Sequence, residues 1–412
     1  MPTFKRPELL SPAGDLEKLQ TAVRFGADAV YAGAGDYSLR TGGGSFTLNE
    51  LGAGIRFAHE HGCKFYLALN IYAFDQELKK MLAYFKAAEK LGIDAAIVSD
   101  AGVLQILRES GTNVRLHIST QANTTNSAAA RFWLNNGAAR IIAARELSLA
   151  QLRAIKAAVP EAELEIFVHG AMCVAYSGRC LLSRHLTGRS ANHGECAQPC
   201  RWEYSFRPAD TAETFTAEED RNGLYILNSR DLCLLEHLPE LLAAGIDSFK
   251  IEGRMKSAFY AAMTTKVYRQ ALDTYLAAPE KYSVRQDWRD NLAKISHRPY
   301  TDGFLFPGGQ PTEYPESSAY LKGCDFVGVV ENYDPQSQQI TISGRNQFGG
   351  GDELEILDPK INAIQKIKLS QMRKSNGEMI TTAHNSYLVT AELRGQDIDP
   401  VSKYSILIKA RR

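Results

Sequence analysis

Four times before residue 260 the chain repeats one local pattern. A helix-like stretch stops at glycine, a small residue follows, and a short apolar run begins. The copies are Gly26-Ala-Asp-Ala-Val-Tyr-Ala-Gly33, Gly92-Ile-Asp-Ala-Ala-Ile-Val-Ser99, Gly137-Ala-Ala-Arg-Ile-Ile-Ala-Ala144 and Gly245-Ile-Asp-Ser-Phe-Lys-Ile-Glu252. Glycine after a helix supplies the left-handed cap that lets the backbone turn into a strand. Near-continuous apolar runs suit strands covered on both faces, as in parallel sheets. Amphipathic stretches such as Leu16 to Phe25, Gln76 to Leu91 and Ala128 to Asn136 lie between them.

The strands expected on this basis are Glu8–Leu10, Asp28–Ala32, Lys64–Leu69, Asp94–Val98, Arg115–Ile118, Arg140–Ala143, Leu164–Val168 and Ser248–Ile251. Eight alternating units predict an α/β fold of the (β/α)8 TIM-like barrel kind. A doubly wound open sheet is the competitor, but no G-x-G-x-x-G turn follows the first strand. Two features depart from a plain barrel. A cysteine-bearing insertion, residues 169–228, follows strand 7, and its stretch Arg207 to Gly223 is polar. Beyond Pro315 come short alternating runs, Phe326–Glu331, Gln339–Ser343, Glu353–Leu357, Lys366–Leu369, Tyr387–Leu393 and Tyr404–Lys409, split by Gly, Asn and Asp turns. These predict a small C-terminal all-β barrel. The division expected is a barrel over 1–315, with a helical bridge at 269–309, and a β domain over 316–412.

At 412 residues the chain suits two or three domains. Lys plus Arg and Asp plus Glu both count 47, so a uniformly basic nucleic-acid coat is excluded, though a local basic groove is not. No apolar run reaches the roughly 18 residues of a membrane span, so no membrane partner is expected. Met1 to Leu10 carries charges and two prolines without an apolar core, which predicts no cleaved leader and a cytoplasmic home.

Seven cysteines, Cys63, Cys173, Cys180, Cys196, Cys200, Cys233 and Cys324, are too few for a disulfide scaffold in so long a chain. Four fall in the insertion as Cys173-x6-Cys180-x15-Cys196-x3-Cys200. Four converging thiolates suit a soft metal or an iron–sulfur cluster. Paired C-x2-C knuckles would favour structural zinc, and neither pair has that spacing; zinc stays the alternative. Gly170, Gly178, Gly188 and Gly194 give the backbone room to bend, and Tyr176, Trp202 and Tyr204 are candidates to shield the centre. Cys233 is a reserve ligand, where a helix is expected to begin after Asp231.

In a barrel the chemistry sits at the C-terminal ends of the strands. Those ends carry Ser11, Tyr31, Asn70, Ser99 and Asp100, Ser119 to Asn123, Arg145 and Glu146, His169, and Glu252 with Arg254. Ser11 and Asp100 also read as helix N-caps. The candidate catalytic set is His169, Arg145, Asn70, Glu252 and Arg254. Arg40, Gln121, Asn123 and Arg179 are candidates to hold a small carboxylate or a phosphate, since guanidinium groups grip such anions bidentately. Gly42-Gly43-Gly44 reads as an active-site loop, because the Lys-Ser/Thr of a P-loop is missing.

The segment Glu165-Ile-Phe-Val-His-Gly-Ala-Met-Cys173-Val-Ala-Tyr-Ser-Gly-Arg-Cys180-Leu-Leu-Ser183 resembles the signature of the collagenase-like peptidases (peptidase family U, number 32). Glu8-Leu-Leu-Ser-Pro-Ala-Gly14, His117-Ile-Ser-Thr-Gln-Ala-Asn123 and Lys250-Ile-Glu-Gly-Arg254 also look like that family, and the resemblance covers nearly the whole chain. Cys196-Ala-Gln-Pro-Cys200-Arg-Trp-Glu-Tyr204 and Asn228-Ser-Arg-Asp-Leu232 are similar to the family members that hydroxylate RNA. The resemblance implies a four-iron four-sulfur cluster on Cys173, Cys180, Cys196 and Cys200, with Cys233 an alternative to Cys200. It implies hydroxylation of the wobble uridine of tRNA to 5-hydroxyuridine, with prephenate or a derivative as co-substrate. It also implies an electron donor or a related protein as a further partner. The rival readings are a peptidase and a non-catalytic RNA-binding protein. The first sits poorly with a chain lacking both G-x-S-x-G and H-E-x-x-H.

Overall fold

The computed structural model describes residues 6–33, 35–38, 46–172, 180–193, 195–199, 202, 229–307, 320–393, 395, 396 and 398–411. Eight parallel strands close into a barrel. They are β1 (Glu8–Pro12), β2 (Ala29–Gly33), β3 (Lys64–Leu69), β4 (Ala95–Val98), β5 (Arg115–Ile118), β6 (Ala138–Ile142), β7 (Glu163–Ala171) and, after a short β8 (Asp231–Cys233), β9 (Ser248–Ile251). Each pairs with the next, β7 pairs with β9, and β9 returns to β1 through Glu8↔Ser248 and Leu10↔Lys250. The expected eight-stranded barrel is the fold. Its helices include α1 (Leu16–Arg24), α2 (Leu48–Glu60), α3 (Asp75–Leu91), α4 (Ala101–Glu109), α5 (Ser127–Asn135) and α6 (Leu149–Ala158).

Local chemistry accounts for the elements. Gly26, Gly92, Gly137 and Gly245 all have φ between 76° and 103°, the left-handed turn that the repeated pattern requires. Thr47 and Glu50 form a reciprocal capping box on α2, and Ser148 and Gln151 do so on α6. Asp100 caps α4 as expected, accepting from the Gly102 and Val103 amides. Ser11 does not cap α1; Asp15 does, while the Ser11 hydroxyl meets Thr265 Oγ1 at 2.8 Å.

The region after β7 differs from expectation. Cys233 ends a strand rather than opening a helix: β8 runs antiparallel to the extended end of β7, with Asp231↔Ala171 and His169↔Cys233. The short strand Tyr300–Thr301 pairs with β8 on its other side. Helix α8 (Leu238–Ala243) starts later, behind a one-turn 3-10 segment at Leu235–His237. The stretch 269–309 is not wholly helical. It holds the end of α9 (Ala258–Ala277), then α10 (Gln286–Lys294), then the short strands Ser296–His297 and Tyr300–Thr301. Within the insertion, α7 (Leu182–Thr187) is described.

The C-terminal region is a curled antiparallel sheet. Its strands follow the spatial order Gln365–Lys368, Glu353–Leu357, Ile406–Ala410, Cys324–Asp334, Gln339–Gly344, Leu388–Glu392 and Ser370–Lys374. The first and last are separated in sequence only by Leu369, so the two sheet edges meet at that corner. Val327, Ile340, Phe348, Leu354, Met372 and Leu407 fill its interior. Lys266 on α9 donates to the Asp358 carbonyl at 2.7 Å, and the Arg24 guanidinium lies 3.6 Å above the Tyr404 ring, so sheet and barrel pack directly.

Candidate functional site

The barrel interior carries charge where such cores usually hold Val, Ile and Leu. From β6, Arg140 reaches Glu8 at 2.5 Å, Glu163 at 2.8 Å and Glu165 at 2.9 Å. Above it, Lys250 on β9 reaches the other Glu165 oxygen at 3.0 Å. Glu165 is fully buried, and Arg140 and Lys250 are nearly so. Burial pushes the Glu8 carboxyl up, and the Arg140 charge and hydrogen bond more than reverse it, leaving it below its ordinary value. Burial pushes the Lys250 ammonium down, and Glu165 restores only part. Removing ions from water costs several kcal/mol each, so this column persists only because every member is paired.

The column ends in a pocket at the C-terminal face. Tyr31, Ala68, Asn70, Ile97, Ser119, Thr120, Gln121, Ile142, Arg145, Phe167, Lys250, Glu252 and Arg254 line it. Five residues singled out from sequence, Asn70, Gln121, Arg145, Glu252 and Arg254, therefore converge from the loops after four strands, β3, β5, β6 and β9. The amide of Asn70 donates to Gln121 Oε1 at 2.8 Å, and Tyr72 donates to the Gln121 carbonyl. Arg145 donates to the Ala171 carbonyl at 3.2 Å and lies 4.0 Å above the Phe167 ring, which leaves its buried Nε without a hydrogen-bond partner among the described residues. Arg254 is buried and donates to Ser38 Oγ at 2.6 Å. Tyr31 donates to the Ile251 carbonyl at 3.0 Å and Glu252 Oε2 at 3.3 Å, and the Lys250 ammonium sits 4.3 Å from its ring. The close approaches have a backbone cause. Gly170 has φ 107°, and a Cβ there would stand 2.4 Å from the Glu252 carbonyl.

Two expected residues lie elsewhere. His169 does not line the pocket. A register shift between Phe167 and His169 turns its ring into a cage of Tyr260, Tyr268 and Tyr300, with centroids 6.0, 5.5 and 5.3 Å away. Its Nδ1 stands 3.4 Å from the Tyr268 hydroxyl, and its Nε2 has no partner among the described residues. Burial, then the His297 and Lys256 charges, pushes its pKa down to about 3, so it is a neutral core imidazole at ordinary pH. Asn123 is the left-handed cap, φ 60°, of the 3-10 turn Thr120–Ala122 and is not among the pocket-lining residues. Lys256, on the loop after β9, donates to the Ser296 carbonyl at 2.9 Å. Lys250 was missed as a site residue; a lone cation inside the buried run Ser-Phe-Lys-Ile was the available signal.

Arg40, Arg179, Cys173 and Cys200 lie outside the described residues, as do Gly42-Gly43-Gly44. Cys180 and Cys196 are described, half-buried and free of disulfides. Their segment is held together and laid against the mouth: the Cys180 amide donates to Asn192 Oδ1 at 3.3 Å, the Ala197 amide to Ser183 Oγ at 3.0 Å, and the Tyr72 amide to the Asn192 carbonyl at 3.5 Å. The Gln198 amide donates to Cys196 Sγ at 3.4 Å. Cys233 is different. Its thiol is 3.8 Å from the Tyr268 hydroxyl, and burial raises its pKa. Cys63 and Cys324 are buried. Among the described residues no group of three or more His, Cys, Asp and Glu side chains is placed to hold a metal ion.

Fold and site together define a (β/α)8 barrel with a cationic pocket at its mouth, a cysteine-bearing segment beside it and a curled β sheet behind. The chain belongs to peptidase family U32: the family model matches residues 14–313, and that for the family's C-terminal domain matches 322–407. The chain is 40% identical over 359 residues to the tRNA hydroxylation protein P1 of Bacillus subtilis, covering 87% of this chain and 85% of that protein. It is 37% identical over 422 residues to the tRNA hydroxylation protein P of Escherichia coli, with 92% and 91% covered. It is also 32% identical over 384 residues to a protein named collagenase from Porphyromonas gingivalis, with 88% and 89% covered.

Proposed function

We propose that this protein is an RNA-modifying enzyme that hydroxylates the wobble uridine of tRNA to 5-hydroxyuridine, with prephenate or a derivative held at the barrel mouth. The observation that carries the reading is the convergence of Asn70, Gln121, Arg145, Glu252 and Arg254 on one pocket beside the segment of Cys180 and Cys196. The relatives named for tRNA hydroxylation, matched along most of their length, support the same chemistry.

The pocket's own groups have definable tasks. Arg145 and Arg254 supply the positive charge for a carboxylate. Asn70 and Gln121, already bonded to each other, orient amide groups at the rim. Glu252 holds Tyr31 and balances one cation. A uridine reaches this mouth only when unstacked from its loop, as enzymes acting on a base require.

Cys180 and Cys196 fit two positions of an iron–sulfur cluster, as half-buried free thiols with an amide already aimed at one sulfur. We assign Cys173 and Cys200 as the other two ligands; zinc is the alternative occupant. The cluster would supply electron transfer at the pocket's edge. Cys233, half-buried beside the Tyr268 hydroxyl, is the alternative to Cys200.

The peptidase reading has one observation in its favour. Ser190 Oγ lies 3.3 Å from His193 Nδ1, and Glu77 lies 3.7 Å from His193 Nε2. Ser190 and His193 are in one turn, however, and share a backbone hydrogen bond, so the contact closes that turn. Mass spectrometry of tRNA nucleosides from a deletion strain separates the readings. Loss of 5-hydroxyuridine, restored by wild type and Ser190→Ala but not by Cys180→Ala, is expected. Unchanged 5-hydroxyuridine on deletion refutes the proposal.

A further inference from the structure

The rim of the mouth carries an exposed surface that the pocket does not use. From residue 166 to 194 the chain has no Asp or Glu, but it has Arg179, Arg184 and Arg189. Arg184, His185 and Arg189, on and just after α7, are exposed, and among the described residues neither arginine is ion-paired. Leu181 and Leu186 beside them are 71% and 42% exposed. The adjoining rim holds Phe74, which is 56% exposed at the start of α3, four residues beyond Asn70 of the pocket. Its ring is stacked on His193, with centroids 5.0 Å apart and planes 19° apart, and His193 is braced by Glu77 and Ser190.

An aromatic ring held rigid and left open is unusual, because burying it would remove a large apolar surface from water. Unpaired cations on the segment that backs such a ring are the combination that single-stranded nucleic acid recognises. Phosphates take the cations, and an unstacked base takes the ring. We propose that Phe74, backed by His193, is a stacking platform for a base flanking the modified nucleotide, and that Arg184 and Arg189 take the phosphates on either side. This rests on the RNA-modifying reading and adds the docking face. The platform shares the loop between β3 and α3 with Asn70, so a strand lying across that loop brings the next base towards the pocket.

The test is binding of a fluorescein-labelled tRNA transcript to the full-length protein, followed by anisotropy across a salt series. Arg184→Ala with Arg189→Ala should lower the slope of log affinity against log salt by about 1.5, from roughly 0.7 to 0.9 per lost phosphate contact. Phe74→Ala should weaken binding about 5-fold or more, the loss expected for a stacked base, without changing that slope, and Phe74→Trp should preserve binding. Circular dichroism confirms that these surface variants fold. Wild-type binding with all variants unchanged overturns the docking face and leaves the RNA reading intact, opening the face to a protein partner. No binding by the wild type overturns both.

Discussion

His169→Phe should make the protein less sensitive to acid, by an amount the structure fixes. The imidazole is fully enclosed among three tyrosine rings, and its pKa falls from the ordinary 6.5 to about 3. The folded chain therefore refuses a proton that the unfolded chain accepts below pH 6.5. Stability from this group is complete above pH 6.5, declines as the pH falls, and levels off near pH 3. At 1.36 kcal/mol per pH unit, the loss between pH 6.5 and pH 5 is about 2 kcal/mol. Phenylalanine fills the same cage and cannot be protonated. Tyr268 keeps its 2.7 Å hydrogen bond to the Val168 carbonyl, so the hydroxyl is not orphaned. His117 and His297 are also shifted down by burial and will destabilise both proteins in acid. The informative quantity is thus a difference of differences. Urea unfolding of wild type and variant at pH 7.5 and pH 5 should show the wild type losing about 2 kcal/mol more than the variant. Equal losses would refute the neutral, buried assignment of His169.

Glu165→Gln should cost about 3–5 kcal/mol in urea unfolding, because it leaves Lys250 buried without its carboxylate. Lys250→Met should cost clearly less, since Glu165 keeps Arg140 at 2.9 Å; the reverse order would contradict the ion column. Arg254→Lys should leave stability within about 1 kcal/mol, because a cation remains, yet weaken prephenate at least about 10-fold in titration calorimetry by losing the planar fork. Unchanged affinity would move the carboxylate elsewhere.

The barrel was legible because its signals are local. Gly26, Gly92, Gly137 and Gly245 each mark a helix end by themselves, and strand ends follow from them. Asn70, Gln121, Arg145, Glu252 and Arg254 were legible because strand ends in a closed barrel share one face. His169 was misplaced because β7 runs on to Ala171 with a register shift, which no local pattern encodes. Strand β8 is three residues long and exists only through partners at Ala171 and Tyr300. The C-terminal strand Ser370–Lys374 was missed because only Met372 in it points inward. The ion column was hidden for a similar reason. Arg140, Glu165 and Lys250 each interrupt an apolar run, and only closure of the barrel makes them neighbours.

The zipper between the end of β7 and β8 has a wider meaning. The chain leaves the barrel at Ala171 and returns at Asp231 as that residue's direct partner, and the Ser229 hydroxyl fastens the Met172 carbonyl at 2.7 Å. Departure and re-entry are clamped together, so the length of what is threaded between them is only weakly constrained. Doubling the length of such an excursion costs only about 0.6 kcal/mol of closure entropy. The clamp behaves as a socket: evolution, or a protein engineer, can exchange the cysteine cassette for another of different size while the scaffold underneath assembles unchanged.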